Sequence, residues 1–222
     1  VGRLAVILGS GAAGPGGAEI VAAAEAHGAV VLQRHGRGEY HLPHLIDHAA
    51  NLRPLPEAGC DRVLAVCSVG SLKPQIEVGS LVCPDDFIAL QVMLTSLEDT
   101  RGHATAGFDR EWRAKVLAAA AAGGARLRDG GVYWQANGPR FETRAEVRLI
   151  AAHADLVGMT MASECIVAGE LGLRYAAVCM VDNLANGVAE RLLSPQELER
   201  DREANAARLR DALDAVLPEL AR

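Results

Sequence analysis

No run in this chain approaches the ~20 consecutive apolar residues that a membrane-spanning helix needs, although half of its 222 residues are hydrophobic. Its start also lacks the basic-then-apolar pattern of a secretory leader. These absences exclude a membrane partner and place the expected location in the cytoplasm. A basic surplus is missing too: 22 Lys and Arg stand against 28 Asp and Glu, for a formal charge of -6. Such a chain has no face suited to a phosphate backbone, so no nucleic-acid partner is expected. The five cysteines, Cys60, Cys67, Cys83, Cys165 and Cys179, show no CxxC spacing and mostly sit in apolar runs. That pattern excludes a zinc site and a disulfide framework, and they read as reduced core residues.

What is present fits one α/β domain over residues 1–222. Short β-rich apolar runs read as buried strands at Leu4–Leu8, Ala29–Leu32, Val63–Cys67, Leu81–Pro84, Gly131–Gln135, Leu156–Met159 and Tyr175–Val181. Amphipathic helices are expected at Ala18–His27, Phe108–Ala122, Arg144–His153, Ser163–Leu171 and Ser194–Leu217. The last opens on an N-cap, Ser194, followed by Pro195 and Glu197, and reads as structural. Alternating strands and helices imply a largely parallel sheet, helices on both faces, and a ligand site at the carboxyl ends of the strands.

Gly9-Ser10-Gly11-Ala12-Ala13-Gly14 follows a strand and precedes a helix, which formally satisfies the GxGxxG dinucleotide fingerprint. The second strand ends in Gln33-Arg34-His35 rather than an acid, so a dinucleotide reading means an NADP-dependent oxidoreductase with Arg34 on the 2′-phosphate. The same glycines, with the Ser10 hydroxyl, equally suit inorganic phosphate, because they let main-chain N–H groups approach an anion closely. A ligand-free strand-to-helix turn is the third reading.

Other segments converge on the anion. Arg34-His35-Gly36-Arg37 places two arginines and a histidine at a strand end, and Ser68 opens a Ser/Gly turn after the third strand. Phe141 can offer its ring face to a planar base and Glu142 a carboxylate to the hydrogen-bonding edge. Met159 suits a sugar face and Thr160 a phosphate, with core packing the alternative for Met159.

Taken in order, Val6–Gly11, Arg34–Arg37, Ala65–Leu72, Gly138–Thr143, Val157–Thr160 and Val181–Gly187 resemble the trimeric purine nucleoside phosphorylases, and among them the 5′-methylthioadenosine and 5′-methylthioinosine phosphorylases. The resemblance implies the phosphorylase fold, a mixed central sheet with a distorted barrel flanked by helices. It implies phosphate binding by Ser10, Arg34, His35, Ser68 and Thr160, ribose contact by Met159, and a base site of Phe141, Glu142 and Asn183. Asn183, Arg34 and His35 take the catalytic part. Inorganic phosphate is the co-substrate, with no metal or organic cofactor.

Glu142 and Asn183 match the N1–H donor and O6 acceptor of a 6-oxopurine, whereas a 6-aminopurine presents the reverse. Relatives specific for adenine tend to carry a carboxylate where Asn183 stands, and Asp182 and Asn186 lie close by. A methylthioadenosine phosphorylase and a weakened nucleoside-binding relative therefore stay open. This chain departs from the family in a shortened stretch between Gly11 and Arg34, in Glu39 where many relatives have histidine, and in a short Ser96–Phe108 segment. There His103 matches a residue that reaches a neighbouring subunit's ribose, which implies a homotrimer; exposed loop surface is the alternative.

Overall fold

The computed structural model describes residues 2–10, 17–189 and 195–221, with no side-chain description for 195–203. Residues 11–16 of the glycine tract and the expected cap Ser194 lie outside the described residues. Every expected strand and helix forms: β1 (Arg3–Leu8), α1 (Gly17–Ala26), β2 (Val30–Gln33), β3 (Cys60–Ser71), β4 (Leu81–Cys83), α4 (Arg110–Ala122), β7 (Val132–Gln135), α5 (Arg144–Ile150), β8 (Leu156–Gly158), α6 (Met161–Glu170), β9 (Arg174–Leu184) and α7 (Pro195–Leu220). Sequence reading missed β5 (Asp86–Ile88) and β6 (Leu127–Asp129), each three residues long and carrying charge, and the short helices α2 (His48–Leu52) and α3 (Pro54–Glu57). Three residues are too few to show a period.

The sheet is mixed. Six of its pairings are parallel; β8 on β3 and β4 on β9 are antiparallel. The sheet is thus largely parallel, as strand-helix alternation leads one to expect, and the two antiparallel pairings join strands that are not consecutive in the chain, where alternation fixes no direction. The curled mixed sheet implied by the family resemblance is the one observed.

Strands buried on both faces sort their side chains by parity. Ala5, Ile7, Val63, Ala65, Ala177 and Cys179 face Leu52 of α2, Leu55 of α3, and Met161, Ala162 and Cys165 of α6. Leu4, Val6, Leu64, Val66, Ala176 and Val178 face Ile20 of α1, Trp112 and Val116 of α4, and Leu209, Leu213 and Leu217 of α7. All five cysteines are free and buried, as expected. Among the described residues no helix is long and apolar enough to cross a membrane.

One feature of the pairing places the site. β3 keeps β9 on one edge from Arg62 to Ser71. Its other edge pairs with β1 as far as Val66 and with β8 from Gly70 onward. Across Cys67–Val69 the sheet forks.

Trp112 anchors α4 to this core. Its Nε1 donates to the Val63 carbonyl at 2.7 Å, and the Arg62 guanidinium lies 5.5 Å over its ring. We expect Trp112→Ala to cost about 3–5 kcal/mol, read as a lowered urea midpoint with an unchanged cooperative transition.

Candidate active site

Each branch of the fork ends in polar residues that turn toward a common cavity of about 510 Å³, a volume suited to a small-molecule ligand. Ser10 comes from the end of β1, Arg34 and His35 from the end of β2, Ser68 from the fork in β3, Met159 and Thr160 from the end of β8, Phe141 and Glu142 from the loop after β7, and Asn183 from β9. Nine of the ten residues singled out in the sequence thus line one pocket. His103 does not: it lies exposed in a 3-10 turn, Thr100–His103, away from the cavity of its own chain.

At the anion end, Arg34 is fully buried, and most of its donors are committed. Nε and Nη2 bond the two Glu164 oxygens at 2.5 and 2.9 Å, and Nη1 bonds the Val66 carbonyl at 3.0 Å. Gly9 permits this, since a Cβ there would collide with Nη1 and come 3.0 Å from the Val66 oxygen. Arg37, grouped with Arg34 from the sequence, instead turns back to the Val31 carbonyl at 2.9 Å and leaves the pocket wall. The pair of arginine donors is corrected to one.

His35 is held by two contacts. Its Nδ1 lies 2.8 Å from the His41 carbonyl, so Nδ1 carries the proton, and the Tyr40 ring stacks on it at 4.5 Å with an interplanar angle of 8°. Burial, together with the charge of Arg34, lowers its basicity below the usual histidine range. Glu39, the departure from the family pattern, is exposed and stays out of the cavity wall. Tyr40 takes the place beside the histidine instead.

At the opposite end, Thr143 and Glu146 form a capping box on α5: the Glu146 amide donates to Thr143 Oγ1 at 3.2 Å and the Thr143 amide to Glu146 Oε2 at 2.7 Å. Glu146 also takes both Arg140 nitrogens at 2.8 Å. Arg140 is thereby drawn off Glu142, whose carboxyl is pushed above its usual range by burial. Gly138, at φ +66°, has no side chain to crowd Met159, whose Sδ would lie 2.6 Å from a Cβ there. Phe141 is 56% exposed at the mouth. Asn183 Nδ2 donates to the Leu184 carbonyl at 3.0 Å, and its second N–H has no partner among the described residues.

Sequence reasoning did not assign Tyr40, Leu42, Pro43, Asp182 or Asn186, which also line the cavity. Asp182 accepts from Asn205 of α7 at 2.9 Å, and Asn186 donates to the Glu142 carbonyl at 3.0 Å. Among the described residues no group of three or more His, Cys, Asp and Glu could hold a metal ion.

A forked, curled α/β sheet whose strand ends meet in one polar-lined cavity defines the class, that of the phosphorylase fold. The chain belongs to the phosphorylase superfamily, whose family model matches residues 9–218. It is 40% identical over 178 residues to the "Probable 6-oxopurine nucleoside phosphorylase" of Archaeoglobus fulgidus, covering 79% of this chain and 73% of that one. It is 32% identical over 198 residues to the "Probable S-methyl-5'-thioinosine phosphorylase" of Methanothermobacter thermautotrophicus, covering 85% and 68%. A solved structure of methylthioadenosine phosphorylase from Schistosoma mansoni with adenine superposes with a TM-score of 0.80 at 20% identity, over 98% of this chain and 91% of that one. Family membership displaces the dinucleotide reading of Gly9–Gly14 and the oxidoreductase with it.

His35 and His48, both made less basic chiefly by burial, bind protons less readily folded than unfolded. The unfolded chain therefore takes up protons first as pH falls through 6.5, the ordinary histidine value, and stability should fall from there downward. The lowered carboxyls Asp61 and Glu164 add their losses only below their ordinary 3.8 and 4.5. Urea midpoints measured from pH 8 to 5 should show the decline, and His48→Gln should flatten it.

Proposed function

We propose that the chain catalyses phosphorolysis of a 6-oxopurine nucleoside, such as inosine, guanosine or 5′-methylthioinosine, to the free base and ribose or 5-methylthioribose 1-phosphate. The observation that carries this reading is the shared cavity, lined at once by Ser10, Arg34, His35, Ser68 and Thr160 and by Phe141, Glu142 and Asn183. Inorganic phosphate is the co-substrate, and the reaction calls on no metal or organic cofactor.

Breaking an N-glycosidic bond develops positive charge on the sugar and negative charge on the base. Arg34 and His35, with the hydroxyls of Ser10, Ser68 and Thr160, hold a phosphate oxygen below the anomeric carbon. Such prearrangement can supply roughly 7–11 kcal/mol of the barrier, and the bound anion offsets the cationic sugar. Met159 lies along the ribose between the two ends. The one free Asn183 N–H is shared between the purine O6 and N7 as the base gains charge, a donation worth about 2.7–4 kcal/mol. Glu142 accepts from N1–H of a 6-oxopurine.

A methylthioadenosine phosphorylase is the second reading, favoured by Asp182 in the cavity wall. Asn205 engages that carboxylate from α7, and Asn183 is the residue beside it with a free donor, which supports the oxo base. Assembly as a homotrimer, in the cytoplasm and serving purine salvage, completes the proposal. His103 then reaches the ribose of an adjacent protomer, and the exposed Leu42, Leu45, Leu90 and Met93 supply apolar surface for the contact.

A phosphate-dependent assay across inosine, guanosine, adenosine and the two methylthionucleosides tests the reading. We expect kcat/KM to favour the oxo substrates, and Asn183→Asp to lower it for them by about 100-fold or more, the size of one lost donor. A tenfold preference for the amino substrates, roughly 1.4 kcal/mol, overturns the base assignment. Purine binding with no phosphate consumed points to the weakened binding relative.

A further inference from the structure

Glu164 is wholly buried in α6, outside the cavity wall, and has no part in the chemistry above. Its carboxylate nevertheless takes three strong bonds: Arg34 Nε to Oε1 at 2.5 Å, Arg34 Nη2 to Oε2 at 2.9 Å, and the Tyr175 hydroxyl to Oε2 at 2.9 Å. Arg34 adds the Nη1 bond to the Val66 carbonyl and a contact from Nη2 to Cys67 Sγ at 3.4 Å. A guanidinium carries five N–H donors in a fixed plane. Among the described residues four have acceptors, and the remaining one sits on Nη1, the nitrogen that packs against Gly9. Where that donor points is decided by how the rest of the guanidinium is held.

A buried ion pair rarely repays its desolvation by attraction alone, so stability is a poor reason for an acid here. Orientation is a better one, because a two-point grip fixes both the plane and the rotation of the guanidinium. Tyr175, from β9, stops the carboxylate from swinging. We propose that Glu164, steadied by Tyr175, is the positioning residue that aims the free Nη1 donor of Arg34 at the phosphate.

The inference rests on the phosphorylase reading of the cavity, and steady-state kinetics with phosphate and inosine varied separately tests it. In Glu164→Gln an amide NH2 opposes an Arg34 N–H, the guanidinium turns, and KM for phosphate should rise about tenfold or more with KM for inosine within about twofold. Tyr175→Phe keeps the charges and removes one bond, so KM for phosphate should rise about threefold, again selectively. Glu164→Asp keeps the charge but falls short of the guanidinium, and should lie between wild type and Glu164→Gln. Phosphate KM unmoved in the folded variants, equal changes in both KM values, or tighter phosphate binding in Glu164→Gln overturns the inference. Should Glu164→Gln fail to fold, Tyr175→Phe decides. A wild-type chain inactive with phosphate sinks the phosphorylase reading and this inference together, whereas an active wild type with unmoved variants sinks only the inference.

Discussion

At Cys67 the third strand has lost one neighbour and not yet met the next. β1 pairs with it up to Val66, and β8 takes over the same edge at Gly70. That interruption is the constraint on which the rest depends. It opens the sheet at its centre while β9 runs on behind, paired from Arg62 to Ser71 with one register shift between Val69 and Gly70, so the gap costs the fold little continuity. Strand ends from both branches then converge on one cavity. The β1–β2 branch brings Ser10, Arg34 and His35, and the β7–β8 branch brings Phe141, Glu142, Met159 and Thr160.

Charge is distributed unevenly along that cavity. Arg34 is neutralised from behind by Glu164, and His35 is kept less basic by burial and by Arg34 itself. In the proposed reaction this part of the cavity relies on fixed donors more than on surplus positive charge, in keeping with catalysis by preorganised dipoles. Glu142 is the contrasting case. Its nearest candidate counter-charge, Arg140, is taken by Glu146, and burial raises its carboxyl. An acid whose nearest cation is bound to another carboxylate is suited to a ligand that brings an N–H donor.

Much of this could be read from sequence, for reasons that differ residue by residue. The parity of Leu4, Val6 and Leu8 against Ala5 and Ile7 announces a strand buried on both faces, and the segments at strand ends announce the pocket. Glu164 could not be read. It stands alone in an apolar helix, and its partner lies 130 residues earlier, a distance that no local pattern spans. Arg34 and Arg37 look alike in a string, and only the turn at Gly36, with φ +97°, separates the one that enters the cavity from the one that folds back. Glu39 looked like a liability until Tyr40 proved to be the neighbour of His35. The short strands β5 and β6 carry too few residues to show any period.

Binding loops are usually the mobile part of a scaffold, yet the loop that carries Phe141 and Glu142 is tied at several points. The capping box and the Arg140 pair close its far end. Asn186 holds the Glu142 carbonyl from the β9 side, and Gly138 lets it close over Met159. Each tie alone is worth little, since the Arg140 pair is exposed. Their value is joint, because they hold the backbone on both sides of Glu142, so in the proposed reaction the discrimination between an N–H donor and a bare nitrogen need not wait for the loop to order. The same economy holds at the anion end, where a second carboxylate, Glu164, acts from behind rather than on the ligand. In the proposed reaction two acids, Glu142 in the cavity wall and Glu164 hidden behind Arg34, thus set the geometry of a site that takes an anionic co-substrate.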